Sequence, residues 1–248
     1  MNTDPFKSKV PAVTLAFWAI KIAATTLGET GGDALSMSLD LGYAVSTLIF
    51  GAIFIAMLAG QVAAKSYHPS LYWLVIVATT TVGTTLSDYL DRTVGLGYPL
   101  SSALLLAAVI GTLLLWRART GSISVGNIAS REAEIFYWIA ILISNTLGTA
   151  LGDFAADSSG LGFGGGALVF GAVLVLIALA YKFTAISHTV LFWAAFVLTR
   201  PLGATAGDLL TKPADEGGLD LSRFAASAAL AAFMIAGIVM TQRQSERG

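Results

Sequence analysis

Residues Trp18–Gly42, WAIKIAATTLGETGGDALSMSLDLG, recur four times in altered form. The copies open at Trp18, Trp73, Trp138 and Trp193, and ten residues later each has a glycine: Gly28, Gly83, Gly148 and Gly203. Four further on stands a small residue (Gly32, Ser87, Gly152, Gly207), followed at once by Asp33, Asp88, Asp153 or Asp208. Nine residues after each of these aspartates comes Gly42, Gly97, Gly162 or Gly217. Gapless registration over this span marks an internal repeat, and the period governs every later reading.

Charged residues make up only 12% of the 248-residue chain and hydrophobic ones 56%, whereas a soluble domain is roughly a quarter charged. Tyr43–Ala64, Ser66–Ser87, Thr93–Trp116 and Ser158–Tyr181 carry no Asp, Glu, Lys or Arg. Each is long enough to cross a hydrocarbon core of roughly 30 Å as a helix. The expected fold class is therefore an all-α polytopic membrane bundle of eight transmembrane helices, arranged as four parallel two-helix repeats. It forms a single membrane domain over 1–248, with repeats at 10–66, 67–120, 131–184 and 186–242. No stretch is left for a soluble domain, and the amino-terminal run, interrupted by Lys21, does not read as a cleaved signal. The chain has no cysteine and only two histidines, His68 and His188, both in expected short loops. That removes disulfide, thiolate and imidazole-cluster chemistry.

Each repeat holds a motif helix, expected at 12–36, 68–91, 132–156 and 187–211, and a plainer apolar helix at 43–65, 97–118, 162–182 and 221–241. The Trp-to-Trp spacings are 55, 65 and 55 residues, so the polar segment 117–131 joins two halves. Nine basic residues (Lys7, Lys9, Lys65, Arg117, Arg119, Arg131, Lys182, Arg243, Arg247) fall on the side of the termini, and Arg92, Lys212 and Arg223 on the other. By the positive-inside rule both termini are cytoplasmic. The opposite loops, with Asp40, Asp91, Asp157, Asp215, Glu216 and Asp220, form an acidic outer face. Two helices per repeat make all copies enter the membrane the same way up, related by an axis along its normal.

Two patterns overlap on each motif helix. Small residues four apart let helix backbones approach closely in lipid, and alone they mean packing. A polar row at spacing four shares one helix face: Lys21, Thr25, Glu29 and Asp33; Thr80, Thr84 and Asp88; Asn145, Thr149 and Asp153; Arg200, Ala204 and Asp208. Thr30 belongs to a neighbouring row. A charge at the bilayer centre costs about 3 kcal/mol on insertion scales, so such rows should turn inward to a shared polar core. In that core Glu29, Asp33, Asp88, Asp153 and Asp208 are the expected metal ligands and proton acceptors. Thr25, Thr30, Thr84, Asn145 and Thr149 are supporting oxygen donors, and Lys21 and Arg200 are counter-charges. Five acids against two bases leave an excess of negative charge for protons or cations to balance. Hard oxygen donors suit Mg, Ca or Mn.

The bland alternatives are specific. The aspartates could mark outer helix ends that bond loop amides, the tryptophans could anchor the chain at the membrane interface, and Lys21 could snorkel or pair with an acid. Pro201 and the Gly31–Gly32 pair mark the expected places of unwound helix. The GFGGG run at 162–166 lacks the Lys-Ser/Thr of a phosphate loop.

Four tandem two-helix repeats, each with a Trp and a Gly/Thr/Asp signature, resemble a bacterial membrane-protein family built from a repeat of unknown function. Its members are described only as uncharacterised membrane-anchored proteins. The resemblance implies eight helices and nothing about substrate. From the residues themselves, the expectation is a secondary active transporter of a multivalent metal cation, an exporter coupled to protons, multi-pass in a bacterial inner membrane. Its partners would be the metal cation and protons as transported ions, membrane lipid and, as an open option, a second copy; nucleic acid is not expected, nor a cofactor, nor enzymatic activity. The alternatives are a passive cation channel with an Asp ring, or a membrane sensor or enzyme subunit.

Overall fold

A computed structural model describes residues 9–128 and 130–247; Lys7, counted above among the basic residues, lies outside them. The described chain is helical throughout. Its eight α-helices are α1 (Leu15–Asp33), α2 (Gly42–Ala63), α3 (Pro69–Asp88), α4 (Tyr98–Thr120), α5 (Arg131–Asp153), α6 (Gly162–Phe183), α7 (His188–Thr211) and α8 (Arg223–Arg247). Local chemistry sets their ends. The Thr14 hydroxyl accepts the amide of Phe17, and that of Ser130 accepts Ala133. Both satisfy donors that a helix start leaves orphaned. The chain turns into α2, α4 and α6 at Gly42, Gly97 and Gly162, whose φ values of 72°, 74° and 67° suit only glycine without strain.

The four motif helices close a ring: α1 packs on α3 and α7, and α5 packs on α3 and α7. Each plain helix lies against the motif helix of the next repeat, α2 on α3, α4 on α5, α6 on α7, and α8 closes the circle on α1. The split between inside and outside is sharp. In α3, α5 and α7 some 67–72% of the most apolar window is buried, against 6–22% in α2, α4, α6 and α8. The outer helices thus present Leu48, Ile55, Leu114, Leu168, Leu176 and Ile235 outward, as lipid-facing spans do. Seven helices are long and apolar enough to cross a membrane. The eighth, α1, carries Lys21, Glu29 and Asp33 and is wrapped by α3, α7 and α8.

Small residues permit this closeness, and they do so by one rule repeated around the ring. A Cβ on Gly28 would overlap Thr80, one on Gly83 would touch Asn145, one on Gly148 would overlap Arg200, and one on Gly203 would overlap Thr25. Each motif glycine receives the residue seven after Trp from the next repeat. The second small position repeats the device, with Gly32 against Thr84, Gly152 against Ala204 and Gly207 against Glu29.

Three expectations about the helices need correction. α7 runs unbroken through Pro201. The irregular backbone instead follows the motif aspartates of the first three repeats, as π turns over Ala34–Ser38, Tyr89–Thr93 and Phe154–Ser158. π turns inside helices recur at functional sites. Third, Trp73, Trp138 and Trp193 are not interfacial anchors. They are buried beside Phe17, Tyr72, Tyr137, Trp116 and Phe192, in an aromatic layer that seals the end of the bundle where the termini lie. Trp18 alone of the four is half-buried.

Candidate functional site

Above the aromatic layer the ring is filled by stacked sets of four side chains, one from each repeat. The first set holds Lys21, Ile76, Ile141 and Phe196, all at the third residue after Trp. Lys21 is fully buried; its ammonium sits 4.1 Å from the centre of the Phe196 ring and has no hydrogen-bond partner. It is too buried to snorkel and forms no ion pair among the described residues; the other members of its set are all apolar.

The next set, Thr25, Thr80, Asn145 and Arg200, seals the seams. The hydroxyls of Thr25 and Thr80 lie 3.2 and 3.1 Å from the carbonyls of Thr199 and Ala24 on the preceding motif helix. Asn145 Nδ2 donates to Thr79 Oγ1 at 3.0 Å, which commits the amino group sideways, while the amide oxygen is buried with no hydrogen-bond partner. Arg200 breaks the pattern. Its guanidinium rises into the following set (Glu29, Thr84, Thr149 and Ala204) and meets three of its four members. Nη2 lies 2.9 Å from Glu29 Oε2, 2.7 Å from Thr149 Oγ1 and in short contact with Thr84 Oγ1, its two hydrogens shared among the three oxygens. The fourth member is the methyl of Ala204, on the arginine's own helix. Arg200 and Glu29 are both buried, so the pair closes the centre of the ring.

The aspartates form the outermost complete set, and here two cations enter that the sequence reading left in the external loops. Lys212 Nζ lies 2.8 Å from Asp33 Oδ2 and 3.3 Å from Asp208 Oδ1. Arg92 donates Nε to Asp88 Oδ1 at 3.0 Å and Nη2 to Asp153 Oδ2 at 3.2 Å. Arg223 approaches Asp33 at 3.9 Å. Lys212 and Arg92 occupy the same place in their repeats, four residues after the motif Asp, where the first and third repeats have Met37 and Asp157. Each bridges its own aspartate to that of the next repeat, so the four-fold ring becomes two-fold at this level. No described aspartate of the set bonds a loop amide; cationic side chains hold them. The formal excess of negative charge read from the sequence is correspondingly reduced, since four cations face five acids.

Lys212 is drawn inward by the chain beyond α7. Residues 213–221 fold back: Leu219 N bonds Leu209 O at 2.7 Å, Asp220 N bonds Lys212 O at 3.0 Å and Leu221 N bonds Leu210 O at 2.9 Å. These bonds satisfy carbonyls that the helix end would expose and hold the lysine over the ring. Burial works against the ammonium there, yet the carboxylates of Asp208 and Asp33 outweigh it and raise its pKa above the ordinary lysine value.

Two further predicted ligands lie apart. Thr30 Oγ1 pairs with Ser227 Oγ of α8 at 2.7 Å, and Thr25 is taken up by the seam. Glu29, Asp33 and Asp208 do come together: one carboxylate oxygen from each lies within 4.8 Å of the others, all three residues buried. Asp88 and Asp153 stand across the ring with Arg92.

No curated protein and no solved structure matches the chain. A family model matches it four times in tandem, over residues 16–67, 71–122, 136–187 and 191–247, and is described as a repeat of unknown function. The four matches carry the tryptophan, the seam glycine and the aspartate of every set described above: the chain belongs to the DUF347 repeat family.

Proposed function

We propose that the protein is a secondary transporter of a multivalent metal cation, an exporter coupled to inward proton flow, with its termini on the cytoplasmic side of a bacterial inner membrane. The observation that carries this reading is the trio Glu29, Asp33 and Asp208 with Lys212 between two of its carboxylates. A buried ammonium held by two carboxylates stands where a bound cation would stand. Lys212 acts as a tethered stand-in: it neutralises the acids when the site is empty and withdraws when a metal enters. Its contact with Asp208 is an ion pair without hydrogen-bond geometry, so withdrawal breaks one strong hydrogen bond, to Asp33, and a weak one to Met37 Sδ at 3.8 Å. Clustered carboxylates also take up protons more readily than isolated ones, which lets metal and protons compete for one place. Arg200 and the aromatic layer close the path on the side of the termini, as alternating access requires of one closed state.

Thermal shift on the purified protein with Mg, Ca and Mn at two pH values tests this. A cation that binds the folded protein stabilises it, and competition with protons makes the gain larger at the higher pH. Equal melting temperatures across all cations at both pH values reject the reading. A second reading, a passive channel, is favoured by the closed ring of four helices; it is opposed by Arg200, which fills the ring's centre. Uncoupled current in a bilayer, indifferent to the proton gradient, would select it.

A further inference from the structure

Among the plain helices α6 departs furthest from the repeat. Phe54 and Val109, thirty-six residues after their tryptophans, are buried, and so is Met234 of α8, five residues further on because the fold-back lengthens the loop of the fourth repeat. Their counterpart Leu174 on α6 lines an open groove instead. Two turns on, Gln61 and Trp116 are buried and Thr241 of α8 is partly buried, while Tyr181 of α6 is 55% exposed. The terminal end of α6 thus leans away from α1. Between them, over α7, lies a groove of about 880 Å³, within the roughly 300–1,000 Å³ of ligand sites. Its walls are apolar: Trp18 and Ile22 from α1, Leu174 and Ala178 from α6, Phe192 and Ala195 from α7.

Its rim is of different chemistry. Lys182 and His188 stand at the mouth, with Thr14, Ser124 and Thr189 beside them. The His188 ring is stacked at 4.2 Å on Tyr181, which fixes the α6–α7 turn. Lys182 makes no ion pair among the described residues, and its ammonium lies 5.3 Å from the Phe183 ring. An apolar trough open to the bilayer, with an uncompensated cation at its end on the headgroup side, matches an acyl chain joined to an anionic phosphate.

We infer that this groove is a binding site for an anionic phospholipid of the leaflet at the terminal end, with its chain along α1, α6 and α7 and its phosphate on Lys182. The lipid takes the place that a buried side chain fills in the other repeats. It thereby supports the α1–α7 seam, which carries the Thr25–Thr199 and Glu29–Arg200 contacts.

Native mass spectrometry of the purified full chain, exchanged against vesicles of phosphatidylglycerol or phosphatidylcholine, tests the site. Wild type should retain phosphatidylglycerol over phosphatidylcholine by about fivefold, the factor that one Lys near an anionic lipid surface supplies. Lys182→Gln should lose that preference and keep lipid. Ala178→Phe, which fills the trough, should lose both lipids, while Leu176→Phe on the outward face should lose neither. Equal retention by wild type, an unchanged preference in Lys182→Gln, or lipid kept by Ala178→Phe overturns the inference. So does stabilisation by inorganic phosphate alone, or a dimer whose contact covers the groove.

Discussion

The two sides of the aspartate ring differ in the cation that closes them. On one side Lys212 reaches Asp33 and Asp208 with a single nitrogen; on the other Arg92 spreads two nitrogens over Asp88 and Asp153. Guanidinium is always charged and its fork matches two carboxylates at once, whereas an ammonium is a point charge on a mobile stem. The lysine side also has a third carboxylate, Glu29, one turn below Asp33; the matching positions of the other repeats are Thr84, Thr149 and Ala204. The lysine side chain is 10% exposed and the arginine 36%. One device thus occurs twice, closed by a guanidinium fork on one side and a buried ammonium on the other; under the proposed function the arginine copy is the lock and the lysine copy the exchange site.

The largest effect should come from the group that divides the ring from its sealed end. Arg200→Met leaves Glu29 buried and unpaired, and losing one partner of a buried pair costs about 3–5 kcal/mol. Denaturant or thermal unfolding in detergent should register that loss, and adding Glu29→Gln should recover much of it. A double variant no better than the single one would mean that Arg200 acts by packing alone. The next effect separates the two sides. Lys212→Ala should destabilise by about 3 kcal/mol because two shielded carboxylates lose their counter-ion. Arg92→Ala also uncovers two buried carboxylates, Asp88 and Asp153, but the arginine itself is 36% exposed, so water can replace it and the loss should be smaller, roughly 1–2 kcal/mol. Equal losses would erase the distinction between lock and exchange site. A smaller effect probes the seams. Gly148→Ala should cost roughly 1–3 kcal/mol by overpacking against Arg200. Gly31→Ala, where an added Cβ meets nothing within 4 Å, should be neutral or stabilise by up to about 1 kcal/mol.

Much of this was legible in the repeat. The period alone located eight helices, the parallel orientation of the motif helices and the common depth of the aspartates. The turn glycines Gly42, Gly97 and Gly162 could be read because positive φ has one natural occupant. What escaped lay one step beyond the polar rows. Arg92 and Lys212 stand four residues after Asp88 and Asp208, one turn beyond the polar rows, where the end of the apolar run makes a base look like part of a loop. Extending the spacing by one turn would have found them. The fold-back of 213–221 had no such signal, because it depends on backbone bonds to α7. The tryptophans are ambiguous for a related reason. An aromatic every repeat fits an interfacial belt and a sealed layer equally well in sequence, and only the ring closure of α1, α3, α5 and α7 decides between them. Lys21 followed the same logic: its row pointed inward, but its companions Ile76, Ile141 and Phe196 came from other helices.

The most direct test is flux of Mg, Ca and Mn into proteoliposomes under a proton gradient, comparing Asp33→Asn with Asp88→Asn. Loss of a group that a bound metal depends on lowers affinity roughly 10–100-fold. The account predicts a fall of that order for Asp33→Asn and near-normal flux for Asp88→Asn, with reconstitution equal in both. Unchanged flux in Asp33→Asn, or the same fall in both variants, would contradict it.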